Sequence, residues 1–224
     1  MNFSDELCRL VIRHMNVVEE SPKVIEEIEH SLFEAIHERF ELLAKNSWGE
    51  EIHFWPGERE RGDVKNKKWG LHALWFLPHE WYKYNEEEGV GMHGEYSLDF
   101  TRNDKNIHKL SAAVGVRGSQ LRLGFKVVDS TGTKSWRDHV ERTRQFYMER
   151  FSEESSGLQF FSDEGVIGLC FALDSEKVAE EYPNFDEALT PVDKALEALL
   201  KNHEVFDGFI KTLFELQKRA STDA

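Results

Sequence analysis

The spacing of apolar residues changes near residue 51 of this 224-residue chain. Before this point, apolar side chains recur every three or four residues, which is typical of amphipathic helices. Beyond it they alternate with polar side chains, most clearly in residues 121–127, where Arg122 and Lys126 stand between apolar positions. Such alternation indicates a strand with one buried and one polar face, as antiparallel sheets have. A chain that joins both patterns has to pack helices against a sheet.

Two helices are predicted before the change of period. The first covers about residues 4–18, and the second covers about residues 22–45. We place the break at Ser21-Pro22, because serine is a good helix cap and proline suits a first helical position.

Seven extended segments are predicted beyond residue 51. The turn residues 117–120 are expected to join the fourth and fifth segments into a hairpin, and residues 163–165 are expected to join the last two. The segments are residues 52–56, 69–77, 95–100, 108–116, 121–128, 158–161 and 166–173.

Four further helices are predicted among and after these segments. Thr190 begins one of them as the cap of a capping box, with Pro191 at the first helical position. The helices cover about residues 136–151, 175–182, 192–201 and 204–218.

This order of elements predicts an α+β fold. We expect a mostly antiparallel sheet of about five to seven strands, with helices packed on one face and helical N- and C-terminal segments. Residues 1–50 would form an N-terminal helical pair and residues 51–224 an α+β domain, and the two would make one compact unit.

The chain is acidic, with a formal net charge of −14. A negative protein is repelled by phosphate backbones, so the overall charge disfavours nucleic acid as a partner. Residues 101–150 are the exception, because they hold 11 basic and 5 acidic residues. No apolar run is long enough to span a bilayer, and the acidic N-terminus is unlike a secretion signal. We therefore expect a cytoplasmic protein that does not contact membranes.

The sequence contains none of the common catalytic or phosphate-binding motifs. His30, Glu34 and His37 could share one helix face, but a di-metal carboxylate site needs the same pattern on a second helix. The first predicted helix offers only His14, and the closing pair of helices offers only His203. We therefore predict no metal, no cofactor and no catalytic residue.

Clustered glutamates are the candidate residues for binding another protein. They occur as one triplet and two pairs, and such charge runs usually remain in water. Complementary charge on a basic partner would give fast association and specificity. The candidates are Glu86, Glu87, Glu88, Glu153, Glu154, Glu180 and Glu181.

A local basic face is the first alternative. Arg122 and Lys126 on a strand, with Arg137 and Arg144 on the following helix, would contact phosphates, and neighbouring tryptophans would stack on bases. The competing interpretation is that nearby carboxylates neutralise these residues.

An enzyme is the second alternative. Glu95 and Asp99 point to the same side of a predicted strand and could form an acid/base or metal constellation with Lys126 on a neighbouring strand. His79 and His93 lie near strand ends. Acid–base catalysis would require the two carboxylates and the two histidines to meet in one pocket.

The order and spacing of several segments are similar to a known arrangement. The segments are Tyr96-Ser-Leu-Asp-Phe100, Ala113-Val-Gly-Val116 and Leu121-Arg-Leu-Gly-Phe125, which follow Trp81 and precede a helix rich in tryptophan and arginine and a second hairpin. Residues 69–215 thereby resemble the C-terminal region that follows the nuclease core in some bacterial PD-(D/E)xK and restriction-associated proteins. The core is missing here, and Gly124 stands where the nuclease motif needs a carboxylate. The resemblance implies an accessory or defence-related module without nuclease activity.

The function favoured by these observations is that of an acidic protein-binding module. It would act as an inhibitor, immunity protein or accessory subunit of a nucleic-acid-processing or defence system. Its partner would be a protein with a basic surface.

Overall fold

The structure is a computed structural model that describes residues 15–48, 52–55, 74–78, 80–81, 92–101, 109–129, 138, 157–161 and 165–222. Side-chain statements below concern those residues of these ranges whose side chains are described. The predicted helix over residues 136–151 lies outside them except for Asp138, which is helical.

The first described element is one long helix, α1 (Met15–Trp48), which continues through Pro22. The predicted break at Ser21-Pro22 is therefore wrong. A proline inside a helix removes one backbone hydrogen bond and disturbs the preceding turn. Packing outweighs this local preference, because the C-terminal half of α1 buries Leu32, Ile36 and Phe40 completely.

An antiparallel sheet follows, and six of its strands lie in the described part of the chain. They are β1 (Ile52–Trp55), β2 (Leu74–Pro78), β3 (Met92–Thr101), β4 (Gln120–Asp129), β5 (Gln159–Phe161) and β6 (Val166–Phe171). Their order in the sheet is β1-β2-β3-β4-β6-β5. The long central pair is formed by β3 and β4, whose register places Tyr96 opposite Phe125 and Asp99 opposite Arg122. The predicted α+β class and antiparallel sheet are confirmed, as is the hairpin of residues 158–173, which is β5 and β6.

One predicted strand is a helix instead. Residues 108–116 were expected to pair with 121–128, but α2 (Lys109–Ala113) and a 3-10 turn at Val116–Gly118 occupy this stretch. The backbone N–H of Leu110, in the first turn of α2, donates to Glu29 Oε1 of α1 at 2.9 Å. This long-range bond satisfies a free donor of the helix terminus. The strand paired with β4 in place of this segment is β3.

The chain closes with three helices, as predicted. They are α3 (Ser175–Glu181), α4 (Thr190–Lys201) and α5 (His203–Thr222). The capping box expected at Thr190 is not formed, because the cap position of α4 belongs to Leu189. The Thr190 hydroxyl instead donates to the carbonyl oxygen of Glu187 at 2.8 Å.

The two faces of the sheet differ in character. Tyr96 and Leu98 of β3 and Phe125 of β4 point toward the helices and belong to the core. The alternate residues of the same strands, among them Glu95 and Arg122, point to the opposite face. Side chains alternate between faces along a strand, so each strand of the central pair contributes to both.

Candidate functional site

The described part of the predicted acidic surface is α3. Glu180 is exposed on this helix, and Glu181 is partly buried at its end. Asp174 precedes the helix, and its Oδ1 accepts from the backbone N–H groups of Glu176 and Lys177 at 2.9 and 3.3 Å. A capping aspartate of this kind satisfies the free donors of the first turn and stabilises the helix. The acidic side chains of α3 are therefore held by a helix whose first turn is stabilised by the Asp174 cap.

Glu181 also organises the turn after α3. Its Oε2 accepts from the backbone N–H groups of Glu187 and Ala188 at 2.8 and 3.0 Å. This carboxylate is thus engaged by the protein itself. The turn displays two acidic side chains that the sequence analysis did not select, Asp186 and Glu187, which are 83% and 78% exposed.

Residues 174–187 together form what we call the acidic lobe. The lobe contains six acidic residues and one basic residue. One edge of it is tied to α1, because Arg39 donates to Asp186 Oδ1 at 2.8 Å. The predicted candidates Glu86, Glu87, Glu88, Glu153 and Glu154 lie outside the described residues.

Arg122 of the predicted basic face lies in the interior. It is 4% exposed, its guanidinium is 3.7 Å from Asp99 Oδ2, and its Cζ lies 5.2 Å from the centre of the Phe161 ring. A side chain so placed does not present its charge to a phosphate backbone.

Lys126, the second basic candidate, has an ionic partner on the neighbouring strand. Its Nζ lies 2.9 Å from Glu95 Oε1, and the two side chains are 27% and 5% exposed. Arg122 and Lys126 are the two predicted nucleic-acid contacts that the structure describes, and a β3 carboxylate lies beside the positive charge of each. Arg137 and Arg144 lie outside the described residues.

The candidate catalytic set is affected by the same two ion pairs. Glu95 and Asp99 do share one face of β3, as predicted, but each faces a cation on β4. His79 lies outside the described residues, and His93 is described only as a backbone position on β3. The structure therefore brings the two carboxylates to one face. Lys126 lies beside Glu95, as expected, and Arg122 lies beside Asp99 in addition.

A polar pair inside the aromatic core was not predicted from the sequence. Tyr96 Oη of β3 lies 2.8 Å from Nδ1 of His203, the first residue of α5. The His203 ring packs against the indoles of Trp48 and Trp81, whose ring centres are 4.9 and 5.0 Å away. The partners are 107 residues apart in the sequence, so spacing could not reveal them. The only signal was a histidine directly before an apolar helix.

A second polar contact extends this cluster along α5. Trp81 Nε1 donates to Asp207 Oδ1 at 3.2 Å, and Lys211 Nζ lies 2.6 Å from Asp207 Oδ2. Asp207 is four residues after His203 and hence on the same face of the helix. Both oxygens of this carboxylate are therefore in use.

Burial controls the protonation of Tyr96 and His203. Burial lowers the pKa of His203 to about 4, although the carboxylate of Asp207 acts in the opposite direction. Burial also raises the pKa of the Tyr96 hydroxyl well above its usual range. Both side chains are consequently neutral at pH 7, which suits a hydrogen-bonded pair inside an apolar core.

The described residues offer no cation site. Within these ranges, no group of three or more His, Cys, Asp or Glu side chains is placed to hold a metal ion. His30 and Glu34 lie 3.9 Å apart on α1 with exposed side chains. No helix in the described ranges combines the length and the apolar character that crossing a bilayer requires.

Comparison with known proteins gave no match to a family, to a curated protein or to a solved structure.

Proposed function

We propose that this chain is a non-catalytic binding module whose acidic lobe docks a protein partner with a basic surface. The observation that carries the proposal is the lobe itself: an ordered helix and turn with exposed carboxylates on a protein of net charge −14. An electrostatic surface of this kind accelerates association with an oppositely charged partner and suppresses wrong ones.

The two β3–β4 ion pairs weigh against the alternatives. In the basic-face alternative, Arg122 cannot contact phosphates because it lies in the interior, and Lys126 is paired with Glu95. The enzyme alternative has its two carboxylates facing cations. Neither alternative is favoured by a described contact.

We propose that the partner is a nucleic-acid-processing enzyme. Such enzymes carry basic surfaces that contact phosphates, and an acidic protein can occupy them. The resemblance of residues 69–215 to the region after a nuclease core is a second reason for this choice. The module would then act in the cytoplasm as an inhibitor, immunity protein or accessory subunit.

The experiment is affinity purification of the tagged chain at low and high salt, followed by mass spectrometry. The wild-type chain is expected to retain a stoichiometric basic protein at low salt and to release it at high salt, because screening weakens exposed charges. Recovery of nucleic acid without protein would instead support the basic-face alternative.

Charge reversal on the lobe makes the test specific. Glu176→Lys with Glu180→Lys changes two exposed residues of α3. The matched control is Glu26→Lys with Glu27→Lys, which makes the same charge change at two exposed positions of α1. The first variant should lose the partner and the control should keep it. Equal loss from both would mean that only total charge matters and would overturn the assignment to the lobe.

A further inference from the structure

His203 joins three layers of the fold. It begins α5, it contacts Trp48 of α1 and Trp81 of the segment after β2, and its Nδ1 lies 2.8 Å from Tyr96 Oη of β3. A single side chain thus links the last helix, the first helix and the sheet.

We propose that His203 is an acid-operated latch, which holds the N-terminal end of α5 and the Trp81 segment on the sheet while its ring is neutral and releases them when the ring is protonated. This inference does not depend on the proposed binding function.

The hydrogen bond to Tyr96 explains why the neutral ring is needed. A neutral imidazole can accept the tyrosine O–H at Nδ1, which satisfies both groups. Once Nδ1 carries a proton it can only donate, and the tyrosine hydrogen must then find another acceptor. Tyr96 is fully buried, and its ring neighbours include Phe76 and Trp81. Leaving a buried polar group without its bond is costly.

The charges around His203 do not compensate for a proton. On α5, Asp207 is the counter-charge, but its oxygens already accept from Trp81 and pair with Lys211. The Lys211 ammonium itself opposes a second cation nearby. The described contacts from α1 and from the segment after β2 are indole rings, and the contact from β3 is the neutral Tyr96 hydroxyl.

The direction of the pH effect follows from linkage. The folded chain holds the His203 pKa at about 4, below the ordinary value of 6.5. Between these two values the unfolded chain binds more protons, so acid favours the open state. The stability that the neutral His203 ring gives to the closed state is fully present above pH 6.5, and it is lost as the pH falls toward 4. For this one group, the opening equilibrium constant rises tenfold per pH unit, or about 300-fold over the whole window.

Hydrogen exchange followed by mass spectrometry at pH 7 and pH 4.5, corrected for intrinsic exchange, tests the latch. In the wild-type chain, peptides from the start of α5 and around Trp81 should lose more protection at pH 4.5 than peptides from β4. The double variant His203→Phe with Tyr96→Phe removes both partners without leaving either unsatisfied. It should lack this selective loss, while the control His30→Phe, at an exposed histidine, should retain it.

Titration of the His203 imidazole by NMR in the unmodified chain provides a test without mutation. The expected midpoint is near pH 4, and the loss of protection in α5 should begin near pH 6.5 and level off at this midpoint. A midpoint near pH 6.5 in a chain that remains folded would overturn the proposal. So would an identical acid response of the wild-type chain and the double variant.

Discussion

Gly124 lies directly opposite Gly168 in the ladder between β4 and β6. The backbones are so close that a Cβ atom on Gly168 would stand 2.4 Å from the carbonyl oxygen of Leu123 and 2.7 Å from the Cα of Gly124. Backbone atoms cannot rotate out of the way as the end of a side chain can. Because neither glycine has a side chain, β4, which carries Arg122 and Lys126, can lie this close to β6.

The change Gly168→Ala is expected to destabilise the protein. Because the added methyl group meets the backbone of β4, the two strands have to separate, and we expect a loss of about 1–3 kcal/mol in the free energy of unfolding. Urea denaturation followed by circular dichroism measures the change, with the midpoint compared at an unchanged slope.

The change Gly208→Ala is expected to do the opposite. A Cβ atom at this position of α5 would meet nothing within 4 Å. Alanine is a better helix former than glycine, so the free energy of unfolding should rise by about 1 kcal/mol. The same urea experiment compares the two variants. If both substitutions lowered stability equally, close strand contact would not be the reason for the loss at Gly168.

The architecture could be predicted from the sequence because it depends on local periodicity. The alternation in residues 121–127 and the turn at residues 163–165 mark strands that the structure contains. The wrong predictions concern segments whose conformation depends on contacts with residues far away in the sequence. The segment after His108 has strand-like composition, but Glu29 of α1 supplies a bond that supports a helix there.

The site was less accessible to prediction, because it depends on which residues meet across the sheet. The positions of Arg122 and Lys126 on the polar side of β4 were predicted correctly. Lys126 was also expected on a strand next to Glu95 and Asp99. Which carboxylate faces which cation depends on the register between β3 and β4, and the mistaken hairpin placed another segment beside β4. The contact of Tyr96 with His203 depends on how α5 crosses the sheet, and no spacing within either element reports it.

The change Arg122→Ala tests whether this arginine belongs to the interior. It would leave Asp99, which is 27% exposed, without its cross-strand cation and would remove the contact with Phe161. We expect a loss of about 1–3 kcal/mol in the free energy of unfolding, because a partly buried carboxylate loses a neighbouring cation. Chemical denaturation at pH 7 measures the loss. Lys194→Ala, at an exposed position of α4, is the control and should change stability by less than about 0.5 kcal/mol.

The change Glu29→Ala tests the bond that begins α2. Its carboxylate accepts the Leu110 N–H at 2.9 Å, and this bond is partly buried. Removing the acceptor leaves a terminal donor of the helix without its partner, so we expect a loss of about 1–2 kcal/mol. Thermal unfolding measures the effect, and local exchange of the Leu110 amide should increase. Glu27→Ala, two residues away and exposed, should leave that amide unaffected.

The change Asp193→Asn is expected to stabilise the protein at pH 7. In the described part of the chain no group donates to the buried Oδ1 of Asp193. Burial raises the pKa of this carboxyl, although Arg39 acts in the opposite direction. A raised carboxyl pKa means that the folded chain binds the proton more tightly than the unfolded chain, so the ionised group subtracts stability above that pKa.

Asparagine removes this charge but also the favourable interaction of a carboxylate with the first turn of α4. Because Asp193 is only partly buried, the net gain in the free energy of unfolding should be less than about 1 kcal/mol. Urea denaturation at several pH values measures it. The advantage of the variant should shrink as the pH falls through the Asp193 pKa, where the wild-type carboxyl becomes neutral too. A variant that is less stable than the wild-type chain at pH 7 would show that Arg39 and the helix terminus outweigh the cost of burial.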